Sequence, residues 1–107
     1  MIAIAADHGG VELKTALCLW MDERKIEYAD LGTRSSESVD YPDFAHELAE
    51  GVAGGQFDRG VLVCGTGLGM SMAANRHRGV RAALCSETFS AEMSRRHNAA
   101  NVLCLGG

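Results

Sequence analysis

Short β-forming runs alternate with helical stretches along the whole chain, and that alternation restricts it to a parallel sheet wrapped by helices. Residues 2–6, Ile2-Ala3-Ile4-Ala5-Ala6, read as a first strand that ends in the loop Asp7-His8-Gly9-Gly10. Leu13, Leu17, Trp20 and Met21 then fall at helical spacing, so one stripe of a helix running to about Lys25 should face the sheet. Residues 26–31 give a short second strand closed by Gly32, and residues 33–40 a polar loop. Tyr41-Pro42 opens a second helix, since proline suits the first helical turn, and Phe44, Ala45, Leu48, Ala49 and Val52 share its inner face. Residues 60–64, 81–85 and 101–105 read as the remaining strands, with helices running to about Asn75 and over 88–97 between them. No repeat or linker interrupts this, and 107 residues with 47% hydrophobic content suit a single domain, residues 1–107. Right-handed crossovers then predict a three-layer α/β/α sandwich, Rossmann-like, with a five-stranded parallel sheet in the order 2-1-3-4-5.

Ligands of such sheets collect at the strand C-termini where the winding reverses, here between the first and third strands. The loops that meet there are Asp7-His8-Gly9-Gly10 and Cys64-Gly65-Thr66-Gly67-Leu68-Gly69. Together they supply a carboxylate, an imidazole, a thiol, a hydroxyl and a row of backbone donors. Glycines let those N–H groups converge, and the helix that follows adds unpaired donors and the positive end of its dipole. A thiolate is favoured in such surroundings. These are the parts needed to abstract a proton beside a carbonyl while N–H groups hold the enediolate oxygen. The same residues also fit a plainer reading, in which Cys64 ends a strand as a small apolar residue and the glycines serve packing.

Composition narrows the partners. A net charge of −4 with scattered lysines and arginines argues against a nucleic-acid surface. No apolar run reaches the length of a membrane span, and the first strand meets Asp7 too early for a signal peptide, so a cytoplasmic location is expected. Cys18, Cys64, Cys85 and Cys104 contain no Cys-x-x-Cys pair, which fits reduced thiols better than a disulfide frame or a metal site. Neither a cofactor nor a metal is expected. Gly65-x-Gly67-x-Gly69 is not the dinucleotide fingerprint, and no lysine followed by serine or threonine completes a P-loop. A cysteine-dependent phosphatase would need its arginine where Met70 stands.

Six fragments in order, Asp7-His8-Gly9-Gly10, Asp30-Leu31-Gly32-Thr33, Asp40-Tyr41-Pro42, Cys64 to Gly69, Arg81 to Cys85, and His97-Asn98 with Asn101-Val102-Leu103, resemble type B ribose-5-phosphate isomerases over essentially the whole chain. The wider superfamily includes galactose-6-phosphate and allose-6-phosphate isomerases. The resemblance implies metal-independent interconversion of ribose 5-phosphate and ribulose 5-phosphate through an enediolate. It implies Cys64 as the catalytic base, Gly65, Gly67, Leu68 and Gly69 as parts of the anion hole, and Thr66 as an added donor. His97 matches the proton donor of ring opening and Asn98 the adjacent substrate ligand, while Asp7 and His8 match substrate contacts. Because His97 and Asn98 reach the site from a neighbouring subunit in that family, a homodimer with shared sites is implied, with a tetramer as the alternative.

Other residues carry less. His8 alone also fits a loop cap, and His97 alone a helix C-terminus complement. Tyr41 either lines the pocket or staples the start of its helix. His46 and His77 are expected at the surface, and Cys18, Cys85, Cys104, Met70 and Met72 in packing roles. Family members continue past the position of Gly107 with an arginine, a final helix and further phosphate-binding arginines, so this chain is expected to lack that helix. Arg34, Arg76, Arg78, Arg81, Arg95 and Arg96 are the remaining candidates for phosphate charge. Three other readings stay open, isomerisation of another phosphosugar, a truncated non-catalytic phosphate-binding module, and a truncated, inactive scaffold that only dimerises.

Overall fold

In the computed structural model, which describes residues 1–33 and 37–107, the alternation read from the sequence becomes one sheet with helices on both faces. The chain runs β1 (Ile2–Ala6), a 3-10 turn (His8–Gly10), α1 (Val11–Glu23), β2 (Tyr28–Asp30), α2 (Tyr41–Ala53) and β3 (Arg59–Cys64). It continues through α3 (Leu68–Ala74), β4 (Ala82–Leu84), α4 (Thr88–Asn98) and β5 (Val102–Gly106). Every ladder is parallel. Residues 34–36, and with them Arg34, lie outside the described residues.

The strand order is β2-β1-β3-β5-β4, so the last two strands exchange the places expected from 2-1-3-4-5. Burial explains the exchange. In β5, Val102 and Cys104 are fully enclosed, and the strand runs five residues between β3 and β4. The three-residue β4 leaves Leu84 exposed, as a short edge strand can. On its outer edge, the Asn75 side chain accepts from Ala82 N at 2.8 Å and donates to Ala82 O at 2.9 Å, standing in for a missing neighbour.

Handedness then assigns the helices. The crossovers through α2 and α3 advance in one direction across the sheet and those through α1 and α4 in the other, so right-handed connections put each pair on its own face. The α2/α3 face carries the main core, where Leu48, Ala49, Met70 and Ala74 pack on Ala3, Ala5, Leu62 and Cys104. On the opposite side α4 buries none of its residues.

Several side chains depart from expectation. Trp20 is half-exposed, not turned to the sheet, and the Arg24 guanidinium lies 4.2 Å from its ring centre. Met70 is enclosed but Met72 is 68% exposed, because two steps along a helix reverse the facing. His46 and His77 are not simply surface residues, since Nδ1 of the first and Nε2 of the second share a 2.7 Å hydrogen bond between α2 and the turn after α3. Cys85 and Cys104 are buried, Cys18 half-buried. Burial, reinforced by Cys64 and Cys85, pushes the Cys104 thiol up to about 12. No helix among the described residues is long and apolar enough to cross a membrane.

Candidate active site

The exchange of β4 and β5 leaves the reversal point untouched, so the loops after β1 and β3 still meet. A Cβ on Gly9 would lie 3.0 Å from Gly65 N, and one on Gly10 would lie 2.5 Å from Val63 O. The two loops therefore close to a distance that side chains would forbid. Gly107 N donates to Cys64 O at 2.6 Å and joins the end of β5 to the same place.

On the β3 side, Cys64 is 5% exposed and its sulfur sits beneath the turn that opens α3. Gly67 N–H donates to Cys64 Sγ at 3.0 Å. That aim depends on Gly67 at φ +81°, a left-handed conformation in which a Cβ would also meet Leu84 and the Leu105 backbone. Thr66 Oγ1 accepts from Leu68 N at 3.2 Å, so the hydroxyl caps the helix and keeps its own proton to donate. Tyr41, first residue of α2, lays its ring over Gly69, where a Cβ would come within 2.6 Å of it. It is 40% exposed, an aromatic wall on the first turn of α3.

On the β1 side, Asp7 is buried and caps the 3-10 turn, with Oδ1 accepting from Gly9 N at 2.9 Å. His8 is exposed and its Nδ1 accepts from Val39 N at 3.2 Å. That bond assigns the ring proton to Nε2, a donor facing outward from the loop. An open cleft of about 840 Å³ runs beside Gly65 and Thr66 toward Ser86–Thr88 and Gly106, with Leu103 and Leu105 as its apolar wall. Cys64 does not line it.

His97 and Asn98 are elsewhere. They end α4, and the chain passes from them into the start of β5, whose far end lies beside Cys64. Within one chain they are thus separated from the thiol by the length of a strand, roughly 13 Å at about 3.3 Å per residue. Arg81 and Arg95 share that lower end, where Arg81 Nε donates to Ala99 O and Arg95 to Ala100 O, holding the last turn of α4. Arg96 pairs with Glu92 on the helix surface, and Arg76 and Arg78 follow the C-terminal end of α3. The partners of Arg81, Arg95 and Arg96 thus lie away from the glycine loop, on α4 and the residues that follow it.

The groups that do meet, a buried thiol, a buried carboxylate and a set of N–H and O–H donors, are of the kinds that can take a proton from carbon and hold the charge that results. Among the described residues no three metal-ligating side chains cluster. Sequence reading found the two loops through their glycines. It missed Val39, whose backbone N–H sets the His8 tautomer, because a backbone donor in an irregular loop leaves no residue-type signal.

Comparison with known proteins places this chain among isomerases. The Ribose/Galactose Isomerase family matches residues 2–107. Ribose-5-phosphate isomerase B of Escherichia coli (strain K12) is 50% identical over 105 residues, covering 98% of this chain and 70% of that protein. The solved ribose-5-phosphate isomerase B of Clostridium thermocellum superposes with a TM-score of 0.96 at 51% identity, covering 98% of this chain and 71% of that one. The ribose 5-phosphate isomerase of Thermotoga maritima gives 0.93 at 51% identity, covering 95% and 70%.

Proposed function

The chain belongs to the ribose/galactose isomerase family, and from that premise we propose that it interconverts ribose 5-phosphate and ribulose 5-phosphate with Cys64 as the base. Once the sugar is open, the Cys64 thiolate takes the proton from C2, and the electron pair moves through the new C1–C2 double bond onto the carbonyl oxygen. The enediolate is held by N–H groups of the 65–69 turn and by the Thr66 hydroxyl. The C2 hydroxyl proton passes to the C1 oxygen, and as the C2 oxygen becomes the ketone the C1–C2 double bond takes the proton back from the thiol at C1, leaving the thiolate as it began. Asp7 and the His8 Nε2 proton orient the sugar oxygens, and Tyr41 walls the pocket. Galactose 6-phosphate is the second substrate to try, because the family's description names both sugars. Four free cysteines are consistent with work in the cytoplasm.

The observation that carries the reading is the Gly67 N–H aimed at Cys64 Sγ at 3.0 Å. That N–H fixes the sulfur beneath the turn, and the turn's remaining donors are left for the substrate.

His97 and Asn98 enter this scheme from a second copy, as ring-opening acid and ligand, because their own chain holds them a strand's length from its thiol. Mixed subunits test both claims together. Cys64→Ala and His97→Ala proteins should each be inactive on ribose 5-phosphate. Co-refolded in equal amounts, they should recover about a quarter of wild-type turnover, since half the dimers are mixed and one of their two sites is intact. Wild-type protein that binds ribose 5-phosphate without turning it over would leave a binding module, full activity of Cys64→Ala would remove the thiol as the base, and mixtures as inactive as their parents would mean that sites are not shared between subunits.

A further inference from the structure

Lys14 is 2% exposed, yet it lies on α1 with a charged end inside the protein. Its Nζ donates to both oxygens of Asp30, at 2.8 Å each. An enclosed ion pair contributes little to stability beyond what apolar residues of the same size would give, because desolvation offsets the attraction. What this pair does have is a particular place. Asp30 ends β2, and its Oδ1 also accepts from Gly32 N at 2.9 Å. Gly32 O accepts from Ala6 N at 2.7 Å, and Ala6 O accepts from Thr33 N at 2.8 Å. Ala6 is the residue before Asp7, and Lys14 stands four residues after Gly10, in the first turn of the helix that the loop leads into.

We propose that Lys14 and Asp30 are a positioning pair, in which one carboxylate clamps both ends of the Asp7–Gly10 loop and so sets where Asp7 and His8 meet the sugar phosphate. The inference rests on the substrate role given above to that loop. Its entry side is tied through Gly32 and Ala6, and its exit side through Lys14. The thiol and its donors hang on the other loop, anchored by β3 and β5, and neither residue of the pair touches them. Loss of the clamp therefore falls on substrate binding and leaves the proton-transfer apparatus in place.

The test replaces the pair by apolar residues that keep the core filled, Lys14→Met with Asp30→Leu. KM for ribose 5-phosphate should rise about tenfold while kcat changes by less than about twofold. Amide hydrogen exchange at Gly9 and Gly10 should quicken about tenfold with Gly67 unchanged. If melting temperature, KM and the Gly9 and Gly10 exchange all stay at wild-type values, the pair is structural filler and the inference falls. Asp30→Asn, which keeps an acceptor for Gly32 N and loses the charge that holds Lys14, covers a double variant that does not fold and should show a smaller shift of the same kind. Wild-type protein without turnover on ribose 5-phosphate would defeat the functional reading alone, and the exchange rates would still decide the clamp.

Discussion

Around Cys64 the chain ends its strands in glycines, whereas around Arg81 it ends them in side chains that cap the backbone. At the upper rim Gly9, Gly10, Gly65, Gly67 and Gly107 bring bare peptide groups into contact, and one N–H points at a sulfur. At the lower rim Asn101 accepts from Arg81 N and donates to Gly79 O, while Arg81 and Arg95 hold the carbonyls that end α4. Met1 and Asp58 pair through the terminal ammonium there. Lower-rim polar groups thus answer one another. Those of the upper rim are arranged around a space, so hydrogen-bonding capacity is left for something that arrives.

The sharpest way to break this contrast is to add one methyl group at each end. Gly10→Ala puts a Cβ 2.5 Å from Val63 O, and backbone cannot move aside without separating the two loops. We expect a loss of about 1–3 kcal/mol in stability from overpacking. Turnover should fall about 100-fold, the typical cost of misplacing reacting groups by an ångström. Gly55→Ala, at the end of α2, meets nothing within 4 Å and suffers only from its φ of +82°. It should cost about 1 kcal/mol and leave kcat/KM alone. Equal effects on turnover would mean that the upper rim is no more demanding than any other turn.

That contrast also marks what sequence could and could not disclose. Element types were legible because each carries its own periodicity, and the observed ends of β3, α3, α4 and β5 fall within a residue of those expected. The meeting of the Asp7 and Cys64 loops was legible too, since the reversal of winding depends on the first three strands only. The order of β4 and β5 was not, because both crossovers are right-handed in either order and the choice turns on which strand has the apolar length to lie inside. Trp20 matched an apolar stripe by spacing, yet a stripe does not say how far a small sheet extends to cover it. Nor does an isolated Lys14 announce that it will be buried, since only its partner sixteen residues on makes that tolerable.

A smaller effect should appear at the edge strand. Asn75 fills both hydrogen-bonding positions of Ala82 on the open side of β4, near the lower rim and away from the thiol. Asn75→Ala removes two hydrogen bonds that water can partly replace, so about 1–2 kcal/mol of stability should go with no change in KM. Urea unfolding with parallel kinetics checks this. A rise in KM would show that the lower end communicates with the site inside one chain, which the contrast denies.

The smallest expected effect belongs to Glu87, which lines the open cleft at the upper rim and caps a helix there. Its Oε1 accepts from Ser90 N at 2.9 Å and its Oε2 from Phe89 N at 2.8 Å, capping α4, a helix that buries none of its residues. The Ser90 side chain first, then the Ser90 N–H and the Phe89 N–H, hold the Glu87 carboxyl below the usual carboxylate range against the opposing effect of desolvation. A lowered folded-state value means that the carboxylate stabilises the protein at pH values above the unfolded value of about 4.3. The contribution is lost as pH falls through the folded value. Glu87→Gln keeps one acceptor and loses the charge, so its melting temperature should lie below wild type at neutral pH and converge with it toward pH 3. A gap that stays constant with pH would mean that the cap acts through geometry alone, with no part for the charge at the positive end of the helix dipole.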